Sequence, residues 1–467
     1  MNSTQLSENL PAISETLNQL FDSDKLNQIS KETGFITRSS ARLTPQNFFQ
    51  LMTVELLKEP NLSYSALCGR LAEINPQASL TSQGLETRVN RRESVEYLQR
   101  IFQETLLLTL QKSYQNISPE LFNHFPRIFL QDSTQFRLHE QLAPQFKGAG
   151  GSGSKAAGKL DVVYELKTQK FTQIKMSKST IPDQSRAPDF VEWVQEKDLI
   201  IRDLGYFKLD ALQEFQGKNA YFLSRLLHCT DVYLKPDSSE AINICKYANQ
   251  NSLKSSVIEL PVYLGKSNRV EARLIMYRLP EAVVNRRRQE AKKQAKKRGR
   301  TPSQEHLALL EFALFVTNVP DSIWSAEVVG TIYRIRWQIE LRFKEWKSLL
   351  SIHVLKGKRP ERILCWLYGR LICLLIITDL CSWANWYAFE SLGKELSLDK
   401  TIKWFTHFGR LADSIQQNTL SRLVEDFKNN INRLCKQKRT RKTTLSLIDS
   451  HIHYLDSFFG GPIPENV

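Results

Sequence analysis

The sequence predicts a mixed α/β protein in which helical ends enclose a strand-rich middle. Three observations carry this. Before residue 126, apolar residues recur at three- and four-residue steps in LTPQNFFQLMTVELLK and ESVEYLQRIFQETLLLTLQ. From 126 the period drops to two. In RIFLQDSTQFRL, Ile128, Leu130, Asp132, Thr134, Phe136 and Leu138 fall on one face of a strand. After 356 the helical pattern resumes. At 467 residues and 41% hydrophobic content, the chain can bury a real core and fill about two to four domains.

The net charge of +15, from 64 Lys+Arg against 49 Asp+Glu, points to a polyanionic partner. The seven cysteines form neither CxxC nor an even framework. They read as reduced core thiols of a cytosolic protein. Residues 1–30 show no secretory signal. The longest apolar stretch, Ile363 to Ile377, is 15 residues long and carries Arg370, so it predicts a buried helix rather than a membrane span.

In the helical N-terminal part, one helix is expected to start after Ser63 and a second near Ser82, the latter carrying Arg88, Arg91 and Arg92. Such a pair suits a helix-turn-helix DNA reader or an ordinary helical hairpin. Asp132 interrupts the apolar face of the first strand, which is costly unless a cation or donor meets it. After a Gly/Ser/Lys loop, LDVVYELK and KFTQIKMS pattern as a hairpin, and DFVEWVQEKD as a helix. In LIIRDLGYF, Leu199, Ile201 and Asp203 again alternate. The flanking Asp198 and Asp210 read as caps or solvated residues. More strands follow in 213–306, ending in a basic run. FALFVTNV then leads into TIYRIRWQIELRFKEWKSLL, which predicts a single helix.

That helix carries Tyr333, Arg336, Glu340 and Lys347. At about 100° per residue, all four fall within about 60° of one another. A carboxylate beside two cations and a phenol is a poor core face. It suits a metal ion held beside a phosphodiester. Asp132 and Asp203 at strand ends, with Glu340 from the late helix, would repel if they converged without divalent cations. Oxygen-only ligands favour Mg²⁺ or Mn²⁺, and a pair of such ions serves in-line attack at phosphorus. Gly153–Lys159 matches the nucleotide phosphate loop G-x4-G-K, but Leu160 stands where Ser or Thr should, and a strand pattern follows. No bound nucleotide is expected. Its Lys147, Lys155 and Lys159 are candidates for a nucleic-acid backbone instead. The eight histidines form no ligand set.

The order strand-Asp, hairpin, strand-Asp, helix-Glu resembles an RNase H-like fold. With Y-x2-R-x3-E-x6-K around Glu340, the chain closely resembles the DDE transposases of bacterial insertion sequences, and more narrowly the insertion sequence four family. The likeness extends over about 125–355 and includes Asp132-Ser133-Thr134 and Asp203-Leu204-Gly205-Tyr206. It implies that Asp132, Asp203 and Glu340 hold two Mg²⁺ or Mn²⁺ ions. It implies too that Arg336 and Lys347 grip phosphates near the cleaved end and that Tyr333 positions the same backbone. In that family an excised end passes through a hairpin while an insertion-domain Trp stacks on a flipped base. Aligned on FALFVTNVP, the position here is Phe312, whose ring stacks more weakly or serves as strand core.

The basic run holds nine cations, Arg286, Arg287, Arg288, Lys292, Lys293, Lys296, Lys297, Arg298 and Arg300, against Glu290 alone. It is expected to meet DNA phosphates. The resulting expectation is a cut-and-paste transposase of the bacterial cytoplasm, associated with the nucleoid, that acts on its element's terminal inverted repeats as a homodimer. Its parts are a helical DNA-binding domain over 1–125, an RNase H-like core over 126–212 and 307–355, a β-rich insertion with the basic segment over 213–306, and a helical domain over 356–467. Trp366, Leu367, Leu371, Leu374 and Leu375 are candidates for the dimer contact or for plain core. A nuclease of the same fold, a domesticated DNA-binding regulator and an architectural protein using only the basic face are the rival classes.

Overall fold

The computed structural model describes residues 19–436 except 21, 37–41, 60, 112–119, 151–152, 252–256, 298, 407–409 and 418. Within them, strands run in chain order as β1 (Ile128–Leu138), β2 (Ala156–Glu165), β3 (Lys170–Lys178), β4 (Leu199–Arg202), β5 (Tyr221–Arg225), β6 (Val232–Tyr233), β7 (Val257–Leu264), β8 (Val270–Arg278) and β9 (Phe312–Thr317). Two compact units divide the chain, and both are discontinuous. One draws on 1–116, 133–181 and 341–438, the other on 117–132 and 182–340.

In the second unit β1, β4 and β5 pair in parallel, and β9 runs antiparallel between β5 and β8. β7 and β6 complete the order. Parallel strands are covered on both faces and read as continuous apolar runs. This is why Ile128, Phe129, Leu130 and Gln131 are all buried, as are all four residues of β4. The expected alternation of β1 appears only from Thr134 onward. Parallel pairing of β5 with β4 places Tyr221–Arg225 in the acid-bearing part of the sheet rather than in an insertion. Where DFVEWVQEKD predicts an α-helix, the chain forms tighter 3-10 turns over Asp183–Trp193. Pro188 lies inside them and cannot supply an α-helical N–H.

In the first unit β2 and β3 form the expected antiparallel hairpin, with β1 beside β2. The succession β3-β2-β1 here and β1-β4-β5 in the other unit is the strand order of an RNase H-like core. The helices Arg92–Gln111 and Pro360–Leu392 pack together, Phe102 lying 5.7 Å from Tyr368. At 33 residues the second of these exceeds the 15-residue apolar stretch read from the sequence. It is long and apolar enough to cross a membrane, yet 83% of its most apolar window is buried in the protein. Arg370 survives there by donating to the Ser351 and Val354 carbonyls, each at 2.7 Å. Burial pushes its guanidinium down to about 10. Trp366, Leu367, Leu371, Leu374 and Leu375 are at most 3% exposed. They are core of their own chain and offer no face to a second copy.

The predicted helix over LTPQNFFQLMTVELLK widens into a π turn at Leu51–Glu55. A Cβ on Gly369 would stand 1.9 Å from the Met52 carbonyl oxygen, so only glycine lets these backbones approach. The helices Tyr64–Ile74 and Ser82–Val89 start after Ser63 and at Ser82, as expected, with Ser63 and Thr81 as their caps. Residues 75–81 between them make a longer connection than a helix-turn-helix turn. Arg88 turns inward, donating to the Phe35 carbonyl at 3.2 Å, while Arg91 and Arg92 are exposed.

Candidate active site

β1 and β4 pair in parallel with Gln131 opposite Arg202. The next residue on each path is an aspartate, so the register alone brings Asp132, within β1, beside Asp203 at the end of β4. Asp203 leaves β4 as the cap of a 3-10 turn over Leu204–Tyr206, accepting from the Gly205 N–H at 3.4 Å. Glu340 sits in the first turn of the helix Trp337–Leu349.

The predicted single helix is broken. An α-helix over Ala326–Tyr333 tightens to 3-10 at Arg334–Arg336 before the next α-helix begins. In 3-10 geometry residues three apart eclipse, so the turn superposes Tyr333 and Arg336. Arg336 is 8% exposed and reaches all three acids through three nitrogens. Nη2 lies 2.6 Å from Glu340 Oε1, Nη1 donates to Asp132 Oδ2 at 3.1 Å, and Nε lies 3.6 Å from Asp203 Oδ1. Burial opposes its charge, but the Tyr333 phenol and the three carboxylates outweigh burial and hold it protonated. The carboxylates of Asp132, Asp203 and Glu340 are 15%, 39% and 22% exposed. Among the described residues no three acid, His or Cys side chains stand close enough to chelate an ion directly. The acids meet through Arg336, and their oxygen-only donor set fits a hard divalent cation.

Tyr333 points inward. It is 7% exposed, packs on Phe315 at 5.1 Å, and donates its hydroxyl to the Arg202 carbonyl at 3.2 Å. Burial pushes its phenol up. Its visible task is to tie the 3-10 turn to the strand end beside Asp203. Tyr333→Phe is expected to cost about 1 kcal/mol of stability, read by denaturant unfolding. Lys347 lies two turns beyond Glu340 on the same helix, half-buried, and burial pulls its ammonium down.

Phe312 begins β9 and is 1% exposed. Stacking a base needs an open ring face, so its ring serves as strand core. The basic run forms the helix Glu281–Lys297, seated by Val283 and Val284. Two of its cations face inward. Arg287 donates to the Leu310 and Phe312 carbonyls, and burial pushes it down to about 10. Arg288 donates to the Leu307 carbonyl and pairs with Glu311 at 2.6 Å. Arg286, Lys292, Lys293, Lys296, Lys297 and Arg300 are exposed, and Arg298 lies outside the described residues. The phosphate-loop lookalike is strand from Ala156. There Lys159 is 1% exposed and donates to the Ile181 carbonyl, while Lys155 pairs with Glu140. The Lys159 ammonium is therefore not free for a phosphate, whereas Lys155 is 75% exposed and held only by a surface ion pair.

Asp198, read from sequence as a cap or solvated, is 1% exposed. It takes two bonds from Arg127, at 2.6 and 2.9 Å, and one from the Gln195 N–H at 2.7 Å. Arg127 precedes β1 and Asp198 precedes β4, so the pair locks the strands at the end opposite the acids. The matching offsets were visible in the sequence, but no local pattern marks an ion pair spread over such a separation. Asp210 is exposed, as expected.

Residues 123–376 match the family described as Transposase DDE domain. The transposase for insertion sequence element IS1151 of Clostridium perfringens is 27% identical over 95% of this chain and 97% of its own. The transposase for element IS231F of Bacillus thuringiensis subsp. israelensis is 31% identical over 75% and 76%. A piggyBac transposase solved as a synaptic complex with hairpin DNA aligns over 92% of this chain and 86% of that one. The TM-score is 0.44 and the identity 11%.

Proposed function

Because the chain belongs to the family of transposases with a DDE domain, we propose that Asp132, Asp203 and Glu340 are the acids on which its reaction turns. The protein is a metal-dependent DNA transposase of the insertion-sequence kind. The observation that carries the residue assignment is the meeting of three acids, distant in sequence, on one guanidinium.

Two Mg²⁺ or Mn²⁺ ions at these acids would activate a water or 3′-hydroxyl and steady charge on the leaving oxygen. The protein supplies the rest. Parallel register fixes the two aspartates, and the Tyr333 bond to β4 fixes the turn that presents Arg336 and Glu340. The exposed cations of the Glu281–Lys297 helix give phosphates a landing surface, and Lys347 serves the cleaved end beside Glu340. The product is a freed 3′-hydroxyl that is then joined to target DNA. Two element ends must be held together, so a homodimer on DNA is part of this reading. Its interface lies elsewhere than the buried leucines of Pro360–Leu392. The helices before residue 112 read the terminal repeats, and the work is done on chromosomal DNA in the cytoplasm. Phe312 does not support a stacked, flipped base in any hairpin step.

The test is incubation with DNA carrying the element's flanking ends, with and without Mg²⁺, on a denaturing gel. Joining that requires a 3′-hydroxyl supports a transposase, and cutting without joining leaves a nuclease. Lys292, Lys293, Lys296 and Lys297 replaced together by alanine should flatten the slope of log affinity against log salt by about 0.9 for each phosphate those lysines neutralise. An unchanged slope would remove that helix from the interface.

A further inference from the structure

Resting on the reading of Asp132, Asp203 and Glu340 as metal ligands, we propose that Arg336 competes with the divalent cation for these carboxylates, so that metal loads only as the guanidinium leaves. Three ion pairs define the competition. Each nitrogen of one guanidinium addresses a different acid, at 2.6, 3.1 and 3.6 Å. At 8% exposure the guanidinium occupies the interior of the cluster rather than its rim.

Charge sets the order of events. Three carboxylates share the one guanidinium of Arg336, and this local surplus of acid draws a divalent cation in. Once cations have neutralised the acids, the guanidinium faces like charge in a partly desolvated site and is driven toward an anion. On a DNA-processing surface that anion is a backbone phosphate. Arg336 thereby couples cation uptake to the arrival of DNA.

The backbone supplies the play. Arg336 ends a 3-10 turn whose other end, Tyr333, is anchored to β4. Relaxation of that turn to α geometry carries Arg336 about 60° around the helix axis relative to Tyr333. Arg336 is therefore a positioning residue whose grip is released, distinct from the acids it holds.

The test is Mn²⁺ binding to the full chain without DNA, by electron paramagnetic resonance at pH 8. Arg336→Gln should bind Mn²⁺ at least about tenfold more tightly than the unaltered chain. Arg336→Lys should fall between, since one ammonium cannot address three acids through separate nitrogens. It also carries the test if the glutamine variant does not fold. A merely structural arginine would give equal or weaker binding on its loss, and that result in a folded variant overturns the proposal. Glu340→Gln separates the two layers. If it loses Mn²⁺ while Arg336→Gln gains nothing, the ligand assignment stands and the competition falls. If no chain binds Mn²⁺, both fall.

Discussion

Glu340→Gln is expected to lower DNA strand cleavage by about a thousandfold or more while leaving binding of element ends nearly unchanged. The replacement keeps the shape of the side chain and can still accept a bond from Arg336 Nη2, now 2.6 Å away. It removes the negative charge that a cation needs. Glu340 is 22% exposed and in the first turn of a helix, so the fold has little at stake. The measurement is a gel-resolved cleavage rate beside a binding isotherm on the same DNA. Joint loss of binding and cleavage would make Glu340 a structural residue.

Arg127→Ala is expected to cost about 3–5 kcal/mol, because it strands a carboxylate inside the protein. Asp198 is 1% exposed and takes two of its three bonds from that one guanidinium. By the entropy of a unit this size, calorimetry should show a fall in Tm of roughly 10 °C. A double change to Arg127→Met with Asp198→Leu should recover much of the loss, since no bare charge remains. A single-variant cost below about 1 kcal/mol would mean that water reaches Asp198. Cleavage should suffer too, because the pair holds the far ends of the strands that deliver Asp132 and Asp203.

The sequence made legible what is local or periodic. The β2–β3 hairpin, the Arg92–Gln111 helix and the helix starts after Ser63 and near Ser82 each follow from local spacing. Asp132 and Asp203 stood out because charge in an apolar strand pattern is an anomaly, and Glu340 because it shares a helical stripe with Tyr333 and Arg336. The direction in which Arg336, Tyr333, Arg287 and Arg288 point was not. An arginine on a helix pattern looks solvated until the element beneath it is known, and here those elements are β1, β4 and β9, far along the chain. The 3-10 turn was hidden for a related reason. Helical periodicity over twenty residues averages away a three-residue tightening. Phe312 is strand core where β9 pairs with Arg278 of β8 and takes a bond from Arg287 at its carbonyl, contacts no short window contains.

The interleaving of the two units carries a lesson about time. Residues 117–132 leave the ribosome early, but their strand partners arrive within 182–340, and the third acid is the last residue of that span. A nascent chain thus has its basic helix, Glu281–Lys297, before it has Glu340. Nested truncations from the C-terminus should stay inert in nicking assays wherever position 340 is missing. A cell making this protein is spared a half-built blade.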